Sequence, residues 1–369
     1  MKLKQIFFVS TIVILAFIVY SFYFQPRSRH TDNEISVAIL LNLTGPPARF
    51  DAIKKQAIAI ASERLKILYP KQNFNISILD AGGSPDITIA VGRKALENGA
   101  SYILTGTSPT ALAVARIARG HKPGVVQIAN AANPDFGPPR PGEYRFWPDW
   151  NQEADVIEKH LRDSKMKSVV LIYSADPYSE ALQVALKEKA AKQPQIKVMG
   201  QQYDPASTPD FRPLLLRAKK EGVDALVVFG LPPGIKALLG QLADVNWGTP
   251  IIGGVNINLT TSDYEQSGLK CGLWSVVTES MEEKLPEGSE AEIFRRIYND
   301  KYGSPPPFHA LYMADALYFI ASAESSLGSA DVNAIGKAKL VHHFVSPSGT
   351  IQIDNNGVLL FNLQIRHVQ

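Results

Sequence analysis

The chain has 369 residues, 45% of them hydrophobic and 20% charged, with a formal net charge of +3. This composition excludes wholesale disorder, and the length suits one large core or, more comfortably, two lobes. The charge excess lies in residues 1–32, where Lys2, Lys4, Arg27 and Arg29 face Asp32 alone; the remaining chain carries 34 residues of each sign, and a neutral body without basic runs excludes nucleic acid as a partner.

The first element is an uncharged run from Ile6 to Phe24, preceded by "MKLK" and followed by "QPRSRH". A span of about 20 apolar residues crosses a bilayer as a helix. Residues 1–32 therefore read as a membrane anchor or signal segment, the anchor being favoured by the length of the run, with Val19-Tyr20-Ser21 a passable but poor cleavage site. Either reading puts the body in the periplasm or on the extracytoplasmic face, tethered to the cytoplasmic membrane by residues 6–24 if uncleaved. The single cysteine, Cys271, excludes an internal disulfide and does not decide the compartment.

Strand and helix signals then alternate. "ISVAILL" (35–41) reads as a buried strand, 50–69 as a helix stopped by Pro70, 75–79 as a strand and 86–98 as a helix. "SYILTG" (101–106) and 109–119 repeat the pair, and 124–130 is a fourth strand. The segment 130–150, dense in Pro and Gly, reads as a crossing between lobes. The series restarts with a helix from Asn151, strands at 168–174, 196–203, 223–230 and 249–254, and helices at 178–192, 210–220 and 232–244. Helices follow at 288–302 and 309–326. The tail reads as two strands joined at Asn355-Asn356-Gly357, completing a sheet edge. Repeated strand–helix units imply parallel sheets covered on both faces, with ligands held at the carboxyl ends of the strands.

The segment "GTSPT" (106–110) combines a strand end, three hydroxyls and a proline before a helical run. It lacks the lysine of a nucleoside-triphosphate loop and the G-x-S-x-G frame of a serine nucleophile. Ser108 is expected to cap the helix with Pro109 at its first position, leaving N–H groups for an anionic or carbonyl oxygen. Asp80, Asp204 and Asp210 fit strand-end and capping roles. His342-His343 has no ligand partner at metal spacing. Neither a metal nor a cofactor is expected, and without a constellation of base, nucleophile and oxyanion donors an enzyme is not expected either. Trp147, Trp150, Tyr173 and Tyr178 gather near the crossing, as cleft lining or hinge packing.

In order and spacing, "ISVAILLNLTGPPARF", "ENGASYILTGTSPTAL", "YRFWPDWNQEADVI", "STPDFRPLLLRAKKEGVDALVVFG", "HALYMADALYFIASA" and "SGTIQIDNNGV" resemble the type I periplasmic-binding-protein fold. They are most similar to its leucine/isoleucine/valine-binding family, over about residues 35–366. The resemblance implies an α/β chain of two Rossmann-like lobes joined by a multi-crossing hinge. Lobe one would take 33–147 and 278–327, lobe two 148–277 and 328–369. It implies ligand contacts at Thr107, Ser108, Thr110, Ala131 and Asn133 from lobe one, at Tyr178, Leu231 and Asn256 from lobe two, and an aromatic lid at Phe50. It further implies a receptor that captures a small polar solute (amino-acid-like, amide or carboxylate) for an ABC transporter permease. The alternative is a membrane-anchored regulatory or interaction protein using the same fold without transport. One departure bears on the ligand: amino-acid-binding members carry an acid near the segment matching "GGVNIN", where this chain offers only Asn256 or Asn258.

Overall fold

The computed structural model describes residues 34–368 apart from 46–47, 123, 132, 134, 137–139, 141, 193–195, 205–209, 231, 279–284, 328–342 and 354–357. The expected anchor, Leu231, His342 and the Asn355–Gly357 turn lie outside the described residues. Among those described, no helix is long and apolar enough to cross a membrane.

Lobe one is built from β1 (Glu34–Leu41), α1 (Ala48–Leu68), β2 (Asn73–Asp80), α2 (Pro85–Glu97), β3 (Tyr102–Thr105), α3 (Ser108–Ala118), β4 (Val126–Ala129) and β5 (Glu143–Arg145). Its sheet runs β2-β1-β3-β4-β5, all parallel. The uninterrupted apolar run of β1 follows from burial on both faces. Val37, Ile39 and Leu41 join one core, while Ala38 and Leu40 join another with Ile103, Leu96 and Val114. β5 lies inside the segment read as a crossing; it adds an edge strand before the chain leaves the lobe.

Lobe two comprises α4 (Trp150–Asp163), β6 (Ser168–Ser174), α5 (Pro177–Ala191), β7 (Lys197–Tyr203), α6 (Arg212–Lys220), β8 (Ala225–Phe229), α7 (Pro232–Asp244) and β9 (Ile251–Gly253). A 3-10 turn (Val255–Thr260), α8 (Thr261–Ser267) and β10 (Leu273–Thr278) complete this series. The chain then returns to lobe one, where α9 (Glu290–Tyr302) and α10 (Phe308–Leu327) pack on α1. Arg64 of α1 donates to Glu290 at 2.9 Å through Nε, and Tyr102 donates to Glu324 of α10.

The tail departs from expectation. Its hairpin is formed by β11 (His343–Ser346) and β12 (Gly349–Gln352), turning at Pro347-Ser348 with Gly349 at φ 101° just after the turn, and it packs on α10 and α9. Val358 bridges to Arg145 at the β5 edge, and Leu359 donates its N–H to the Arg145 carbonyl at 2.9 Å. β13 (Leu363–His367) belongs to lobe two, antiparallel to β10, at the edge of a sheet ordered β13-β10-β9-β8-β6-β7. The two runs expected to pair do meet, with Leu360 donating its N–H to the Gln352 carbonyl at 2.9 Å, and the second run then continues to lobe two as β13. Leu359 pairs with Ile353 across the Asn-Asn-Gly segment, but as an isolated bridge.

Candidate functional site between the lobes

At the rim of lobe one, β3 ends at Thr105 and the chain turns at Gly106. A Cβ on Gly106 would lie 2.8 Å from Asp51 Oδ1 and 3.0 Å from Leu41 Cδ2, so the close packing requires glycine. α3 begins at Ser108, with Pro109 in its first turn. Its cap is Thr107 and not, as expected, Ser108, and the Thr107 side chain makes no capping hydrogen bond. Its hydroxyl pairs instead with that of Thr110 at 2.9 Å, and Asn42 Nδ2 reaches Thr110 at 3.4 Å. Asn42 is held in turn by Asp51, which accepts from its backbone N–H at 2.7 Å and its amide at 3.0 Å. Lys54 donates to the other Asp51 oxygen at 2.9 Å and to the Gly106 carbonyl. Asp51 and Lys54 are both buried. The hydroxyls of Thr107 and Thr110 therefore belong to a polar cluster that fixes the loop, while Ser108 lies buried beside it.

Phe50 packs edge-on against His309 of α10, with ring centroids 6.0 Å apart. Burial together with the neighbouring Lys54 ammonium holds that imidazole down at about 3, so it is neutral. Ala131 and Asn133 follow β4 and are both buried. Asn133 Oδ1 accepts from Asp135 N at 2.8 Å, and its amide reaches the carbonyl of Pro177 in lobe two at 3.4 Å. Arg145 braces this loop: it donates to the carbonyls of Asn133, at 3.2 Å, and Phe136, and to Asp149 at 3.0 Å. Its guanidinium lies 4.8 Å from the Trp150 ring centroid. Of the other aromatics near the crossing, Trp147 packs on Phe308 and Tyr312.

In lobe two, Asp176 caps α5, accepting from the N–H groups of Tyr178 and Ser179 at 3.0 Å. This fixes the backbone of Tyr178, whose hydroxyl donates to Glu153 at 2.8 Å from Oε2 and 3.1 Å from Oε1. Val255 N donates to the same Oε2 at 3.1 Å. Glu153 is fully buried, and burial outweighs those hydrogen bonds, raising its carboxyl to about 8, with Asp149 pushing the same way. Burial and the adjoining Glu153 raise the Tyr178 hydroxyl well above the ordinary phenol range. Asn256 is half-buried in the 3-10 turn beside Val255.

An acid does stand beside "GGVNIN" in space: Glu153, 102 positions earlier in the chain than Val255, accepts from the Val255 N–H. A signal existed: Glu153 shares one face of α4 with Ala154, Ile157 and Leu161, all buried, and an acid on an apolar stripe is a buried acid. Of the residues expected at the site, Asn133 meets the start of α5 across the lobes and Thr107, Ser108 and Thr110 form one rim. Tyr178 and Asn256 lie on the opposite rim, and Phe50 contacts His309 within lobe one.

Several known proteins share this arrangement of chain. A leucine-binding protein from Thermotoga maritima superposes with a TM-score of 0.79 at 22% identity, covering 91% of this chain and 95% of its own. An ABC transporter solute-binding protein from R. palustris, solved with benzoate, gives 0.78 at 18% identity, covering 91% and 93%. By sequence, the chain is 20% identical over 330 residues to the leucine-, isoleucine-, valine-, threonine- and alanine-binding protein of Pseudomonas aeruginosa, spanning 88% of this chain and 87% of that protein. It is 22% identical over 318 residues to an uncharacterized protein of Methanocaldococcus jannaschii, spanning 79% and 73%. The family model described as periplasmic binding protein matches residues 34–366, and the chain belongs to that family.

Proposed function

We propose that the protein is an extracytoplasmic receptor that captures a small polar solute between its lobes and hands it to an ABC importer permease, tethered to the membrane by residues 6–24. The observation that carries this reading is the facing of two polar half-sites. On one side are the N-terminus of α3, with Ser108, and the loop bearing Ala131 and Asn133. On the other are Tyr178, Glu153 and the Val255–Asn256 backbone. Asn133 already reaches Pro177 across the gap. N–H groups at a helix start favour a carboxylate or carbonyl oxygen, and hinge closure around a solute is the usual motion of two such lobes. Solutes bound by similar proteins, leucine and isoleucine in some and benzoate in another, all offer such an oxygen or its acid.

A thermal-shift screen of the protein against amino acids, amides and aromatic carboxylates tests the reading. A solute at a hundred times its dissociation constant stabilises by about 2.7 kcal/mol. Silence across the whole panel would reject solute capture and leave the fold as a membrane-anchored interaction module.

A further inference from the structure

Among the described elements the chain passes between the lobes three times, and one side chain of α10 meets a residue of each passage. The first runs from β5 to α4 through Trp147. The second leaves β10 for α9 at Thr278, and the third runs from Val358 at the β5 edge through Phe361 to β13. The Tyr312 ring stands edge-on to Trp147, with centroids 6.0 Å apart, and lies 4.8 Å from the ring of Phe361. Its hydroxyl donates to Thr278 Oγ1 at 3.2 Å, and both residues are buried. Tyr312 is fixed in the frame of lobe one, because α10 packs on α1 and is tied to the lobe-one sheet through Tyr102 and Glu324. Thr278 belongs to the other frame, paired in the lobe-two sheet with Leu363 of β13. The Tyr312–Thr278 bond therefore joins lobe one to the sheet of lobe two.

The ring contacts and this bond respond differently to a turn of the lobes. Aromatic pairs are favourable over centroid separations of about 4.5–7 Å and over several ring angles, so Trp147 and Phe361 can roll on Tyr312. A hydrogen bond weakens steeply once its donor angle falls below about 120°. The packing thus permits a range of interlobe angles, and the hydroxyl bond prefers one of them.

We propose that Tyr312 is the positioning residue of the hinge: its ring is the bearing on which the three passages turn, and its hydroxyl, through Thr278, sets the interlobe angle of the protein without solute. This role goes beyond solute capture and needs no solute for its test. Tyr318, further along the same helix, supplies the contrast. It is also buried, but its hydroxyl donates to Glu290 of α9, so both ends of that bond lie in lobe one.

Pulsed electron paramagnetic resonance on the full-length protein in detergent, without solute, reads the distance between the lobes. Spin labels on Asp86→Cys in α2 and Arg217→Cys in α6 occupy exposed positions on the helices that follow β2 and β7, the strands at the sheet edges opposite β5 and β13. The native Cys271 is buried. In this labelled parent, Tyr312→Phe removes one oxygen and keeps the ring. The ratio of other distances to the parent's main distance should then rise about threefold to tenfold, the worth of one buried hydrogen bond. Thr278→Val should do the same, and the double variant should do no more than either alone. Thr278→Ser, which restores the hydroxyl, should return the parent distribution, and Tyr318→Phe should leave it unchanged. An unchanged distribution in Tyr312→Phe, an equal change in Tyr318→Phe, additive effects of Tyr312→Phe and Thr278→Val, or Thr278→Ser behaving as Thr278→Val would each overturn the proposal. If one of the two single variants fails to fold, the other carries the test. Failure of both would also overturn it, since a bond that only biases an angle is not needed for folding. A negative result leaves solute capture standing, and a silent solute screen leaves the hinge role standing.

Discussion

Replacing Asp51 by alanine should destabilise the protein far more than replacing its partner Lys54 by methionine. Asp51 is fully buried and accepts three hydrogen bonds: from the Asn42 backbone at 2.7 Å, the Asn42 amide at 3.0 Å and the Lys54 ammonium at 2.9 Å. Its removal strands an ammonium whose residue is 3% exposed, left donating to the Gly106 carbonyl. Breaking a buried ion pair from one side costs about 3–5 kcal/mol, a large part of the roughly 5–15 kcal/mol that holds a typical domain together. Lys54→Met leaves Asp51 both Asn42 donors, so its cost should be about 1–3 kcal/mol. The double variant Asp51→Ala/Lys54→Met, which removes both charges, should recover part of the loss. Equilibrium urea unfolding of the four proteins gives the cycle. A loss below about 1 kcal/mol for Asp51→Ala, or a larger loss for Lys54→Met, would refute the view that this pair clamps the loop before α3.

Other outcomes follow from the same geometry. Glu153 at about 8 and Asp315 at about 7 are both raised by burial, so the folded chain binds more protons than the unfolded one between the ordinary carboxyl range and those values. Their stabilisation is complete at low pH and is lost as pH rises from about 4 to 8, by at most about 4–5 kcal/mol per group; melting of the solute-free protein should show a slope of this sign, flattened by Glu153→Gln and Asp315→Asn. Gly253→Ala would place a Cβ 2.4 Å from Ile257 Cβ, and should cost about 1–3 kcal/mol in urea unfolding while displacing the turn that carries Asn256. Ser108→Ala should weaken solute binding by about tenfold, the worth of one buried hydrogen bond; unchanged affinity by calorimetry would remove Ser108 from the site. Phe319→Ala, which empties a cluster with Tyr144, Phe146 and Phe344, should cost about 3–5 kcal/mol by the same unfolding assay.

The parallel sheets were legible in the sequence because their strands, covered on both sides, read as unbroken apolar runs between helices. "ISVAILL" is such a run, its alternate residues divided between two cores. The start of α3 was legible from Gly106 and Pro109. Which of three successive hydroxyl residues caps it was not, because that depends on Asn42, whose side chain reaches the loop from the end of β1. Glu153 escaped notice because its role is set by Val255 and Tyr178, which only the tertiary fold brings near. The residues on either side of Asn355-Asn356-Gly357 do meet, Ile353 with Leu359, but that local signal is silent on where the second run continues. The pairing of β13 is decided instead by β10, about 90 positions away, and turn chemistry cannot encode a partner so distant.

The divided tail also sets a mechanical limit. Val358 is paired at the edge of lobe one and Leu363 begins a strand at the edge of lobe two, so five peptide links join the two sheets there, about 18 Å at full extension. While both pairings hold, no opening of the lobes can separate those edges further. The strand ends farthest from this leash can swing widely, and those beside it cannot. The leash thus caps the distance between these two edges at about 18 Å in any arrangement of the lobes that keeps both pairings.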